Sequence, residues 1–433
     1  MRQPTVILLV LFLGSLLGST TQSADWPHWR GPARNGTTSE LSHWKPGQSW
    51  PPAKPAWSAN VGEGGSSPII AGGRVFTLGW RDEKEHVLCL DAASGKEVWR
   101  ASYAAPRYGR HAAGDEGLYS GCSATPEFDP ASELLFTLGV DGELRCWDAR
   151  ASGKEVWRRN LYEAYGVKQR RRIGRSGLRD YGYTTAPLAL GDVLVVEVGA
   201  PAGSLVGFDK RTGKQVWMSQ VKDPPGHSGG PTPMTVDGVP CVVVLTLHRL
   251  LVVRTDGEQA GQTVAEYPWE TEFANSIATP AVQGNNVVIT SSYNHDAMCK
   301  LEITLQGARK VWEVPHPSGV CSPVVHGGRI YWAWKKLHCL DFATGKLLWA
   351  GGSFGDAGSC ILTGDERLII WGKQGKLVLA ETAASGATKY VELAFREGLS
   401  DSDVWPHAAL AEGRLYCRDR HGRLHCFVLN TGS

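Results

Sequence analysis

Three patterns in this chain combine residue types and spacing that chemistry could use. Gly-x-Ser-x-Gly occurs twice, at Gly226-Ser228-Gly230 and at Gly351-Ser353-Gly355. That spacing serves a serine nucleophile only on a sharp strand-to-helix turn of an α/β sheet. Both copies read as loops of an all-β chain, which offers no such turn, so no acyl-transfer role is assigned to them. The ten cysteines are the second pattern. No two are adjacent and none are three apart, which removes c-type haem attachment and zinc-ribbon sites. No His-Glu-x-x-His metalloprotease helix is present either. The third pattern is a basic run, Lys168, Arg170, Arg171, Arg172, Arg175 and Arg179, inside a long insertion at residues 158–183. Only Glu163 and Asp180 offset it nearby. Such a loop attracts an anionic ligand or partner by its field alone, or it is simply a solvated loop. A second long insertion, residues 101–121, carries Arg107, Arg110 and His111. Loops of this length are often functional.

The elements that must position these groups are repetitive. The run Val87-Leu88-Cys89-Leu90-Asp91 leads to Gly95-Lys96-Glu97-Val98-Trp99. The phrase returns from Leu144 to Trp157, from Leu205 to Trp217 and from Leu337 to Trp349, with weaker copies ending at Trp269, Trp312 and Tyr390. Each copy reads as strand, turn, strand: the Asp opens the turn and the Gly supplies its left-handed position. Before each copy stands a second motif, as in Ser67-Pro68-Ile69-Ile70 followed by Gly72-Gly73-Arg74-Val75-Phe76. It reads as two more short strands. One unit of four strands over roughly 40–60 residues is a propeller blade. The predicted fold is all-β, a single eight-bladed β-propeller.

The eighth unit is split. Leu424-His425-Cys426 leads to Asn430-Thr431-Gly432, but no Lys-x-x-Trp follows. That half appears at the other end as Lys54-Pro55-Ala56-Trp57. The N-terminal strand is therefore expected to complete the C-terminal blade and close the ring. Pro55 suits an outer edge, which can spare a backbone donor. In the repeat, Cys89, Cys146, Cys339 and Cys426 share one position, held by Gly207 in the third blade. This reads as a small-residue packing slot with buried free thiols. Cys417 differs. A two-residue turn at His421-Gly422 would set Cys417 opposite Cys426 with Cα atoms about 4.5 Å apart, within disulfide range. A bond there and two free thiols are both open.

Composition agrees with a repetitive exported protein. The 433 residues include 52 Gly and 17 Trp against 10 Phe, and 45 basic residues balance 43 acidic ones for a net charge of +2. Near-neutrality argues against a dedicated nucleic-acid binder. Residues 1–23 read as a signal peptide: Met1 and Arg2, an apolar run over residues 6–17, then small residues before Ser23 and Ala24. The run is shorter than the about 20 residues of a spanning helix. An uncleaved anchor is the alternative. Residues 24–53 form a lead segment and residues 54–433 the propeller. No Cys precedes Cys89, so N-terminal lipidation is not expected.

The phrase Leu-x-Cys/Ala-Leu-Asp-x-x-Thr-Gly-Lys-x-x-Trp resembles the pyrroloquinoline-quinone-like (PQQ-like) propeller repeat, over about residues 54–433. Asp25-Trp26-Pro27-His28-Trp29-Arg30-Gly31-Pro32, Asp180-Tyr181-Gly182-Tyr183 and Arg418-Asp419-Arg420-His421-Gly422 look like signatures of exported bacterial proteins of this type. That family includes quinoprotein alcohol dehydrogenases and a non-enzymatic propeller of the outer-membrane barrel-assembly machinery. In a propeller, the segments entering the innermost strands reach the axis on one face. They carry Tyr183, His227, Asn275, Cys321, Trp405 and His407, with His316, Asp401 and Asp403 further out. This mixture suits a polar ligand, or it fills and hydrates the channel mouth. For the quinoproteins the resemblance implies a quinone flat on an aromatic ring, a vicinal disulfide, a bridging divalent cation and an Asp base. This chain has no Cys-Cys pair, and Asp401, Asp403 and Asn275 are its only acid and amide groups at the mouth. The expectation is an exported ligand- or protein-binding module, periplasmic or secreted. It is expected to be a monomer with no cofactor and no metal. A PQQ-dependent oxidoreductase with calcium, acting on an alcohol or sugar, is the alternative.

Overall fold

The computed structural model describes residues 25–106, 121–150, 152–167, 182–199, 201, 203–227, 229–271, 276–292, 294–355 and 358–430. Among them the strands form eight antiparallel sheets, seven of four strands and one of three. The first blade comprises Ile69–Ala71, Arg74–Arg81, Lys84–Asp91 and Glu97–Ala104, paired in sequence order. Six further sheets follow around the ring in chain order. The sixth has three strands because Arg329–Asp341 runs on as one strand through the left-handed residue Lys335 (φ 59°).

The repeated phrase is one physical device used many times. The Asp91 carboxylate accepts from the backbone and hydroxyl of Ser94 (2.9 and 2.7 Å), as Asp209 does from Thr212 and Asp341 from Thr344. Gly95 then takes φ 70°, where an L side chain is strained. Space also demands glycine: a Cβ there would lie 2.5 Å from the Trp57 indole. At Gly153 it would lie 2.4 Å from Trp99, and at Gly213 2.6 Å from Trp157. Each tryptophan thus lies on the turn of the next blade. Trp57 and Trp157 add hydrogen bonds of 3.0 Å to the carbonyls of Ala92 and Lys210 in those turns. Within its own sheet each tryptophan faces the small slot: Cys89 pairs with Trp99, Cys146 with Trp157 and Cys339 with Trp349. In the third blade Trp217 itself fills the slot, and a Cβ on Gly207 would meet its ring at 2.2 Å.

The ring closes between the chain's two ends. Trp57–Asn60 pairs antiparallel with Arg423–Val428, Trp57 opposite Cys426 and Asn60 opposite Arg423. Beside this seam Arg418 is fully buried. Its guanidinium donates to the carbonyls of Ser66 (2.5 Å), Leu78 (2.7 Å) and Gly62 (2.9 Å) and to the Thr77 hydroxyl (2.6 Å). Burial lowers it to about 10, so it stays charged at neutral pH. This one side chain of the eighth blade therefore ties down Leu78 of the first blade together with Gly62 and Ser66 in the segment that enters it.

The pairing of Cys417 with Cys426 is corrected by one residue. Cys417 stands opposite His425, and Cys426 opposite Tyr416. The hairpin is closed by Asp419 and Arg423, whose backbones bond at 3.0 Å, while the Asp419 carboxylate accepts from the Arg423 amide at 2.8 Å. The connection is therefore three residues, Arg420-His421-Gly422, with Gly422 at φ 87°. A one-residue shift sends the two side chains to opposite faces. Both cysteines are buried free thiols.

Candidate functional site

The lead segment is the main element that sequence reasoning undervalued. Trp26 exchanges two 2.8 Å backbone bonds with Ile70 of the first blade, and the Gly72 amide donates to Asp25. Gly364 donates to the Glu40 carbonyl and Gly413 to its carboxylate, both at 2.8 Å. Gly72, Gly364 and Gly413 all lie in turns between first and second strands, so the lead crosses one rim of the ring. Between those anchors its side chains reach the innermost strands. His28 (3.1 Å) and Arg34 (2.9 Å) bind the carboxylate of Glu127, which is completely buried in the second blade. Burial alone would push that carboxyl up, but Arg34 and His28 outweigh it and hold it below the ordinary range.

The centre of the lead is Trp29-Arg30. Arg30 (φ 63°) and Gly31 (φ 84°) form a left-handed bend packed on Trp26, whose ring lies 2.8 Å from where a Gly31 Cβ would be. The bend sends Trp29 across to Thr279 of the fifth blade, with a 3.0 Å bond from Nε1. A Cβ at Gly229, before the fourth blade, would come within 2.4 Å of the same ring. Trp29 also packs on His407, before the eighth blade, with ring centroids 4.3 Å apart. Arg30 is buried and donates to the carbonyls of Asn35 and Pro323. Burial and the charge of Arg30 press His407 down to about 3, so it is neutral at physiological pH. The chain's own aromatic, cationic and imidazole groups thus pack together at the innermost strands.

The expected mouth residues meet different fates. Tyr183 is a core residue: its hydroxyl donates to the Val198 carbonyl (2.9 Å) and its ring packs on Tyr162. His227 is buried in a left-handed conformation (φ 67°). Trp405 is half-buried and stacks under the Arg420 guanidinium at 4.9 Å. Asp401 is exposed and bonded to Arg423 (2.7 Å), while the Asp403 carbonyl accepts from the Arg420 amide. His316 is half-buried and its titration is lowered by burial. His407 and Cys321 do lie with the lead, His407 against Trp29 and Cys321 within the field of Arg30. Asn275, the basic run Lys168, Arg170, Arg171, Arg172, Arg175 and Arg179, the residues Arg107, Arg110 and His111, and residues 1–23 lie outside the described residues. Glu127 was missed, although an acidic residue between Pro126 and Phe128 in an inner strand signals a buried partner.

Comparison with known proteins agrees with this architecture. A family model described as outer membrane protein assembly factor BamB matches residues 83–351. Over 195 residues the chain is 26% identical to outer membrane protein assembly factor BamB of Nitrosomonas eutropha, covering 41% of this chain and 45% of that protein. Over 189 residues it is 29% identical to the glycerol dehydrogenase large subunit of Gluconobacter oxydans, covering 40% of this chain and 23% of that one. The chain thus matches less than half the length of either curated relative. The crystal structure of BamB from Moraxella catarrhalis shares the fold, with TM-score 0.60 at 12% identity over 87% of this chain and 99% of that one. With its Asp-to-Trp phrase recurring within a ring of eight blades and most of the chain matched, the protein belongs to the BamB-like family of PQQ-like repeat propellers.

Proposed function

We propose that the protein is an exported, monomeric, protein-binding propeller and not a quinone enzyme. The observation that carries this reading is the lead segment. Trp29, Arg30 and His407 take up the innermost space where a flat cofactor would need an open aromatic face. The residues present do not fit a quinone with its cation. Among the described residues no three His, Cys, Asp or Glu gather to hold a metal. The carboxylate of Asp401 is exposed and already paired with Arg423 and His421. The family match supports protein binding, and the glycerol dehydrogenase likeness reaches only 23% of that enzyme.

With the centre filled, the rims and their insertions are left to meet a partner. The basic run from Lys168 to Arg179 supplies a field for an acidic protein face. Export rests on the signal-like residues 1–23, and no described helix is long and apolar enough to cross a membrane. The test is cross-linking of the exported, tagged protein in its own envelope fraction, repeated with Arg170, Arg171 and Arg172 changed to Glu. The reading expects a discrete cross-linked partner at low salt, weakened by the charge reversal and by added salt. An unaltered adduct in the triple variant would remove the basic loop from the reading. Absence of any adduct, together with dye reduction by the quinone-loaded protein, would overturn it.

A further inference from the structure

Beyond partner binding, the structure gathers two thiols that no other feature of the fold explains. Cys321, before the sixth blade, and Cys360, in the first strand of the seventh, lie with their sulfurs 3.9 Å apart. Both are buried. The Ala333 amide donates to the Cys321 sulfur at 3.3 Å. A Cβ at Gly358 would lie 3.1 Å from the Ala333 carbonyl, so Ala333 holds both cysteine-bearing segments. Arg30 approaches from the lead. It is completely enclosed, its Nη1 has no hydrogen-bond partner among the described residues, and the charges of the two thiols act on it. A buried guanidinium needs an anion nearby. The other buried cysteines contrast with this pair: Cys89, Cys146 and Cys339 face tryptophans, and burial pushes each to about 11 or 12.

We infer that Cys321 and Cys360 are a redox-convertible dithiol that closes to an inter-blade disulfide, with Arg30 as the positioning residue that supports its reduced, anionic form. Cys321 is the nucleophile. Its burial opposes ionisation, but the hydrogen bond shared with Cys360, the Ala333 amide and the Arg30 charge outweigh it and bring it below the ordinary thiol range. The same shared proton and burial drive Cys360 far up. In the reaction a local opening of the packing between the sixth and seventh blades exposes Cys321, which is otherwise fully buried, and its thiolate attacks an external small-molecule disulfide and displaces one thiolate. The Cys360 thiol then gives up its proton and attacks the Cys321 sulfur, expelling the second external thiol. Two protein S–H or S⁻ groups become one S–S bond, and the external disulfide takes the electron pair and the remaining proton. The sulfurs need approach by only about 2 Å to reach bonding distance. Because a positive neighbour favours the thiolate, Arg30 makes the disulfide easier to reduce.

The test equilibrates the full protein with graded mixtures of reduced and oxidised glutathione, quenches with acid and maps peptides without reduction. The inference expects a cross-linked pair containing Cys321 and Cys360, lighter by about 2 Da than the two free peptides, and lost in Cys360→Ser. It also expects the midpoint of Arg30→Met to move to a more reducing mixture. The equilibrium constant should change about tenfold for each pKa unit that the guanidinium supplies. Arg30→Lys, which keeps the charge, should restore most of that shift, and it replaces Arg30→Met if the latter does not fold. Free thiols at both positions in the most oxidising mixture, or links to other cysteines, would overturn the inference. An unmoved midpoint in the Arg30 variants would overturn the role of Arg30.

Discussion

Replacing Trp57 with alanine tests the closure of the ring where it is most exposed. In a fully buried site such a truncation costs about 3–5 kcal/mol. Trp57 is only half-buried on the outer strand of the last blade, so about half of that cost applies. Its Nε1 also bonds the Ala92 carbonyl at 3.0 Å, which adds about 1 kcal/mol. Its ring covers Gly95, and losing it opens a gap between the eighth and first blades. The expected cost is about 2–4 kcal/mol. With a urea dependence of about 3 kcal/mol/M, the denaturation midpoint should fall by about 1 M. Trp57→Phe keeps a ring over Gly95 and loses the N–H, so it should cost about 1 kcal/mol. Trp99→Ala, whose indole is 7% exposed, should cost about 3–5 kcal/mol and so exceed Trp57→Ala. The assay is urea unfolding followed by tryptophan fluorescence and circular dichroism in parallel. A Trp57→Ala midpoint equal to wild type would refute the idea that the N-terminal strand locks the last blade.

Arg418→Met strips the carbonyls of Gly62, Ser66 and Leu78 at the seam of their buried donor, so it should cost about 3–5 kcal/mol by urea unfolding; a cost below about 1 kcal/mol would remove Arg418 as the seam's clasp. His407 titrates near 3 in the folded protein against an ordinary 6.5, so the unfolded chain takes up the proton first as pH falls. Its neutral burial is harmless above about pH 6.5, and stability is then lost toward pH 3 by up to about 1.4 kcal/mol per pH unit. His407→Gln should flatten that part of the stability profile measured by urea unfolding, and an unchanged slope would contradict the burial of a neutral imidazole beside Arg30.

The blades were readable because every residue of the repeated phrase is needed locally. Asp91 must cap its turn, Gly95 must be left-handed and thin, and Trp99 must have a small partner at Cys89. These needs recur, so periodicity exposes them. The split eighth blade was readable for the same reason, since Trp57 completes a phrase begun at Leu424. The centre was not readable, because its contacts occur once and join distant residues. Trp29 meets Thr279 and His407, Arg30 meets Pro323, and Arg34 meets Glu127. The sequence placed His407 at the axis but could not show that the chain's own Trp29 would cover it. Cys417 was misplaced by one residue because His421-Gly422 reads as a two-residue turn, whereas Asp419 captures the Arg423 amide and lengthens the loop.

The proposed protein-binding role rests on a lead segment that fills the propeller's centre, with Trp29 on Thr279 and His407, where a quinone would have to sit. Calorimetric titration of pyrroloquinoline quinone into the purified protein with calcium, followed by an assay of dye-linked alcohol oxidation, tests it most directly. The filled space around Trp29, Arg30 and His407 predicts no saturable heat and no dye reduction above that of free quinone. One-to-one binding at about micromolar affinity, near −8 kcal/mol, followed by turnover would contradict it.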